Sequence, residues 1–259
     1  MKVNLIVTVR KIFFANLEVR AVYHRQAQPE LSHRCQIRNF CSMMISAPLR
    51  PDQQIIADLI PRGVRLLDVG CGQGVLLHHL LTQKQVDARG LEISQQGVNA
   101  CVSKGLAVIQ GDADEDLRDY PDNAFNWIVL SQTLQATKQP RAVLEQMARI
   151  GEHLVVSIPN FGYWRVRLQF LLRGRMPVNK HLSYQWYDTP NIHFCTIRDF
   201  KALAEEVGLE ILAGEFLHVE GSRAIGRKAL LQKLLRRYCP NIFAEQAIFV
   251  LKKSEICVY

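Results

Sequence analysis

One stretch limits what this chain can become: Leu66-Leu67-Asp68-Val69-Gly70-Cys71-Gly72-Gln73-Gly74. Residues 64–69 are mostly apolar, the pattern of a strand covered on both faces. Gly70, Gly72 and Gly74 follow at alternate positions. Without a Cβ, glycine lets the chain turn sharply and lets a ligand come close to the main chain. Residues 75–81 then read as the start of a helix. Its unpaired N–H groups and its dipole favour an electron-rich ligand at that end.

The same alternation runs through most of the chain. A leading helix is expected at residues 51–60, with Pro51 in its first turn. Strands are expected at residues 64–69, 88–93, 107–110, 125–130 and 153–158, with two more at 210–219 and 247–252. Helices fall between them at 95–104, where Ser94 can cap, at 140–150, and at 198–207, where Thr196 can cap. Strands alternating with helices predict an α/β fold: a Rossmann-like, mostly parallel seven-stranded sheet with helices on both faces. Residues 159–190 read as a long irregular piece, too long for an ordinary connection. A basic helical stretch is expected at 223–238.

Two adenosine cofactors could use the glycine turn. A dinucleotide site needs G-x-G-x-x-G. Here the spacing is G-x-G-x-G, with Asp68 two residues ahead of the first glycine. That string resembles motif I of class I S-adenosylmethionine methyltransferases, in which the turn packs against the amino-acid part of the cofactor. A tight turn alone needs no ligand, but two further strand ends carry suitable groups. Glu92 closes the second strand, 18 residues after Gly74. Its two carboxylate oxygens suit the two hydroxyls of a ribose. Asp112 follows the third strand, and the resemblance implies a contact there with the adenine amino group. The candidate cofactor-binding set is Asp68, Gly70, Cys71, Gly72, Gly74, Glu92, Ile93, Asp112, Ala113 and Ser131, with Gln132 beside Ser131. No metal site is expected, and no catalytic residue stands out. Methyl transfer asks mainly for alignment of donor and acceptor. Cys71 and Cys101 read as small buried packers, and His193 as a core or hydrogen-bonding histidine.

Charge and cysteines narrow the classes further. The formal net charge is +8, but +5 of it lies in residues 1–42. The remaining 217 residues hold +3, too little to argue for nucleic acid. Seven scattered cysteines without a C-x-x-C pair argue against a zinc ribbon or a secreted disulfide framework. A cytoplasmic protein is expected, with no membrane partner. Residues 1–42 form a basic leader that reads as disordered or as an extension of the gene, with translation starting at Met43 or Met44. Residues 43–259 are expected to form the cofactor domain, with an insertion at 159–190. Residues 160–194 hold 8 of the chain's 21 aromatics together with Arg165, Arg167, Arg173 and Arg175. Such a stretch suits a satellite core or a docking face.

Several longer strings resemble the MetW family of methionine biosynthesis. They are Val129-Leu130-Ser131-Gln132-Thr133-Leu134-Gln135-Ala136, Ser157-Ile158-Pro159-Asn160-Phe161-Gly162 with Tyr163-Trp164, Gly174-Arg175-Met176-Pro177, and Trp186-Tyr187-Asp188-Thr189-Pro190-Asn191-Ile192-His193. The resemblance covers residues 49–251. It implies a class I methyltransferase fold, S-adenosylmethionine as cofactor, and a role beside homoserine O-acyltransferase (MetX). An active S-adenosylmethionine-dependent methyltransferase on a small-molecule acceptor is the alternative. The glycine spacing argues against an NAD oxidoreductase.

Overall fold

The computed structural model describes residues 48–178, 185–217, 234–235 and 237–254. All described residues belong to one compact unit, Ala47–Tyr259. The basic leader lies outside the described residues. So does most of the basic stretch at 223–238, of which Leu234, Leu235, Arg237 and Tyr238 are described and helical.

The elements follow in the order α1 (Pro51–Leu59), β1 (Arg65–Val69), α2 (Val75–Lys84), β2 (Asp87–Glu92), α3 (Gln95–Ser103), β3 (Ala107–Gln110), β4 (Phe125–Ser131), α4 (Pro140–Ile150), β5 (Gly151–Pro159), α5 (Trp164–Arg173), α6 (Ile197–Glu206), β6 (Leu209–Leu217), α7 (Pro240–Phe243) and β7 (Gln246–Lys253). The strands form a seven-stranded sheet in the order β3-β2-β1-β4-β5-β7-β6. β1 to β5 pair in parallel, and β7 runs antiparallel to both β5 and β6. This is the expected α/β sheet, with element ends shifted by a few residues.

Strand periodicity explains the two cores. Leu66 and Leu67 are both fully buried, but on opposite faces, because neighbouring side chains of a strand point opposite ways. Leu67, Ile128, Leu154, Val156 and Phe249 pack with Val143, Leu144 and Met147 of α4 and Phe200 of α6. Leu66, Val129, Val155 and Ile248 pack on the other face with Ile56 of α1, Leu76 and Leu80 of α2, and Cys101 of α3. Helices on both faces therefore leave the central strands dry.

Local signals set the helix starts. Ser94 Oγ accepts the Gly97 N–H at the head of α3. At α6, Thr196 and Asp199 form a reciprocal capping box. Lys84, in the last turn of α2, donates to the carbonyls of Ala57, Asp58 and Ile60. It thereby ties down the end of α1, where a cation also suits the helix dipole.

The stretch 159–190 departs from expectation. It begins with the last residue of β5 and then holds a ten-residue helix, α5. Only Val166 of that helix is buried. A helix with so narrow an inner face carries no core periodicity to be read from sequence.

One contact tests this packing. Phe249 is fully buried and stacks on Phe200 with ring centroids 4.8 Å apart. Phe249→Ala should lower the stability of the fold by about 3–5 kcal/mol in urea unfolding. A loss below about 1 kcal/mol would contradict the packing described.

Candidate functional site

The strand order locates the crevice. The chain lays β2 and β3 to one side of β1, then returns to lay β4 on the other. Ligands of open α/β sheets sit beyond the carboxyl ends of the strands at such a reversal. Beyond β1 lies the glycine turn, with φ of 73° at Gly70, 56° at Gly72 and 71° at Gly74. The three glycines serve different ends. A Cβ on Gly70 would stand 2.5 Å from Thr133 Oγ1, and one on Gly74 2.5 Å from Leu106 and 2.7 Å from Cys101. A Cβ on Gly72 would meet nothing within 4 Å. Gly70 and Gly74 thus allow close packing, whereas Gly72 leaves main chain open to the crevice.

Glu92 ends β2 and is 8% exposed. Its carboxylate turns to the glycine loop. Oε2 accepts the Gly72 N–H at 2.7 Å and Oε1 accepts the Ser94 N–H at 2.9 Å. The side chain fits because residue 97 is glycine; a Cβ there would lie 2.8 Å from Glu92 Cγ. A carboxylate offers about four lone-pair sites, so two bonded amides leave acceptor capacity on Glu92.

Asp68 lies on β1, two residues before the turn, and is 2% exposed. Its Oδ1 has no hydrogen-bond partner among the described residues. Burial pushes its carboxyl up from 3.8 to about 7; the Arg50 guanidinium opposes the rise and the Glu92 carboxylate adds to it. Cys71 is buried, and burial raises its thiol, with the Asp68 charge contributing. A thiol so raised is a packing group and not a nucleophile. It stands where a Cβ on Gly90 would come within 2.6 Å.

A second cluster joins from α1. The Arg50 guanidinium donates to both carboxylate oxygens of Asp52 at 3.2 Å and to Ser131 Oγ at 2.8 Å. Ser131 Oγ in turn donates to Asp52 Oδ2 at 3.1 Å. The Ser131 hydroxyl therefore braces Arg50 and Asp52. Past β4, Gln132 adopts φ 54°, and its N–H donates to Ser157 O at 3.0 Å. A non-glycine residue held there costs on the order of 1–3 kcal/mol and persists only where its surroundings enforce it. Gln135 is buried, with Nε2 donating to Gln132 O at 2.7 Å and Oε1 unpartnered among the described residues.

The remaining candidates lie further out. Asp112 sits two residues past β3, accepts the Asp114 N–H at 2.9 Å, and faces Lys138 Nζ at 3.6 Å. Ile93 is 63% exposed beside Glu92, and Ala113 is half-buried. His193 is exposed, with Nε2 3.3 Å from Lys138 O, which is the hydrogen-bonding role and not a core one. Sequence reasoning missed Arg50, Asp52, Thr133 and Gln135. One signal was readable: Asp52 shares the apolar stripe of α1 with Ile56, and an acid on an inward face demands a partner. Among the described residues no group of three or more His, Cys, Asp or Glu could hold a metal ion, and no helix is long and apolar enough to cross a membrane. Arg50 thus serves Asp52 directly and acts on the Asp68 carboxyl, whose other charged neighbour is Glu92, and the spare lone pairs of Glu92 suit a ligand with hydroxyl donors.

Known proteins resemble the chain in sequence and in fold. A bifunctional methionine biosynthesis protein MetXA/MetW from Rhodopirellula baltica is 31% identical over 186 residues, 68% of this chain. The match spans only 30% of that relative's length. Two solved structures share the fold. A SAM-dependent methyltransferase from Archaeoglobus fulgidus gives a TM-score of 0.53 at 17% identity, over 83% of this chain and 94% of that one. An S-adenosylmethionine-dependent methyltransferase from Mesorhizobium loti gives 0.55 at 16% identity, over 78% and 96%. The family model described as methionine biosynthesis protein MetW matches residues 50–251. With most of its length inside that match, the chain belongs to the MetW family.

Proposed function

We propose that this chain is a MetW-type protein that binds S-adenosylmethionine and acts together with homoserine O-acyltransferase (MetX). The observation that carries the cofactor half is the Glu92 carboxylate. It is held at the end of β2 by two main-chain amides, next to the open backbone of Gly72.

The residues present fit this cofactor. Glu92 keeps lone pairs for the ribose hydroxyls. Ile93, exposed beside it, offers an apolar surface to the adenine. Gly70, Gly72 and Gly74 line the amino-acid part, with Asp68 behind the turn, its buried Oδ1 without a partner among the described residues. Cys71 and Ser131 complete this set, and Asp112 and Ala113 border the adenine end. When bound, S-adenosylmethionine supplies an electrophilic methyl group on a sulfonium. The partnership half is supported by the Rhodopirellula relative, which carries MetXA and MetW in one chain. A fusion holds two modules at high effective concentration.

Calorimetry tests the cofactor. Glu92→Ala should weaken S-adenosylmethionine binding by about 1.5–3 kcal/mol. Because Glu92 also anchors the loop, S-adenosylhomocysteine and its 2′,3′-dideoxyribose analogue separate the two roles. Wild type should favour the hydroxylated ligand, and Glu92→Ala should bind both alike. The same preference in both proteins would remove Glu92 from the ribose.

The pocket also sets a pH response in the ligand-free chain. Asp68 holds its proton to about pH 7 when folded, whereas an ordinary aspartate releases it near 3.9. Stability through this group is therefore present below pH 4 and lost as pH rises through 7. Asp68→Asn cannot ionise, so in thermal unfolding it should gain on wild type between pH 4 and 7 and level off above. Parallel curves for the two proteins would show that Asp68 is ionised in the fold.

A further inference from the structure

Helix α5 carries an apolar face that the described structure leaves largely open, with Arg165 lying over the Trp164 ring at 5.4 Å and Tyr163 edge-on to it. Trp164, Leu168, Leu171 and Leu172 are 39%, 42%, 78% and 73% exposed. At 100° per residue they fall on one side of the helix, opposite Val166, the buried residue of α5. Single exposed leucines need no explanation, but a contiguous stripe on a helix does. The spacing i, i+4, i+7, i+8 is that of a helix that lays its anchors into a groove.

The helix stands on a firm base. Asn160, at its foot, is 4% exposed. Its Nδ2 donates to the carbonyls of Asn241 and Ala244, and its Oδ1 accepts the N–H of Gly162. Tyr163, just before the helix, is buried, and Phe161 packs on Phe194 with centroids 4.5 Å apart. A stripe fixed this way is presented to a partner without a large ordering cost.

Charge narrows the occupant. Arg165, stacked on Trp164, and Arg167, whose Nε donates to Gly162 O, flank the stripe, Arg173 and Arg175 follow at its end, and the sequence holds no acid between Glu152 and Asp188. Two copies meeting through this face would bring arginines against arginines, which is costly. The complement is a protein groove that is apolar inside and acidic at its rim. We infer that the exposed stripe Trp164–Leu168–Leu171–Leu172, with its arginine border, is the docking surface for the acyltransferase partner. This rests on the MetX half of the proposed function. α5 follows the carboxyl end of β5, whose neighbour β4 ends at the cofactor crevice, so docking and cofactor sites share one rim of the sheet.

The test uses the full chain and purified homoserine O-acyltransferase from the same organism, with association followed by sedimentation and calorimetry. Leu168→Glu/Leu171→Glu should weaken association at least 100-fold while keeping the wild-type melting temperature and affinity for S-adenosylmethionine. Val102→Glu, an exposed apolar site on α3, should associate as wild type does. Affinity of the wild type should fall at least tenfold between 50 and 500 mM salt, through screening of the arginine border. Undiminished association of the double variant would overturn the docking surface and leave the partnership standing. No association of the wild type would overturn both. A wild-type dimer that the double variant abolishes would make the occupant a second copy and overturn the assignment to the acyltransferase.

Discussion

The bond from the Gly72 N–H to Glu92 Oε2, 2.7 Å long, joins the end of β2 to the loop that follows β1. Gly72 has φ 56° and no side chain to hold it. This bond has a consequence at each end. On the loop side it fixes a segment of glycines that would otherwise sample many conformations. On the strand side it orients a carboxylate that also accepts the Ser94 N–H at the head of α3. Gly97 and Cys101 accommodate this arrangement, the first by lacking a Cβ and the second by donating to Gly72 O at 3.3 Å.

Behind that bond lies an electrostatic conflict. Asp52, Asp68 and Glu92 are all nearly buried, and a buried carboxylate without partners is costly. The structure resolves this unevenly. Asp52 has the Arg50 fork and the Ser131 hydroxyl, and Glu92 has two amides. Asp68 is left with an oxygen unpartnered among the described residues and a proton held to about pH 7. An isolated fold gains nothing from such an aspartate, since an apolar residue would pack there at lower cost. A ligand carrying positive charge or N–H donors would turn the liability into a contact.

Much of this was legible in the sequence, and for identifiable reasons. β1, β4 and β5 are apolar on both faces, so continuous runs mark them whatever lies around them. The glycine turn declares itself through residues that no other backbone conformation requires. The strand pattern puts Glu92 at the end of β2, at a distance from Gly74 that suits a ribose carboxylate, but its grip on the glycine loop is a long-range contact that no local pattern encodes. The Arg50, Asp52 and Ser131 cluster was hidden for the same reason, since 79 residues separate Asp52 from Ser131. Helix α5 was read as irregular because helices are recognised by the face they bury. Its leucines point outward, where periodicity offers no core to confirm it.

A crystal structure of the full chain with S-adenosylhomocysteine is the most direct test of the central claim. The account predicts the ribose hydroxyls within hydrogen-bond distance of the Glu92 carboxylate, with the Gly72 and Ser94 amides still bonded to it and the amino-acid end of the ligand beside Asp68. A ligand bound elsewhere, or a ribose that leaves Glu92 untouched, would contradict it.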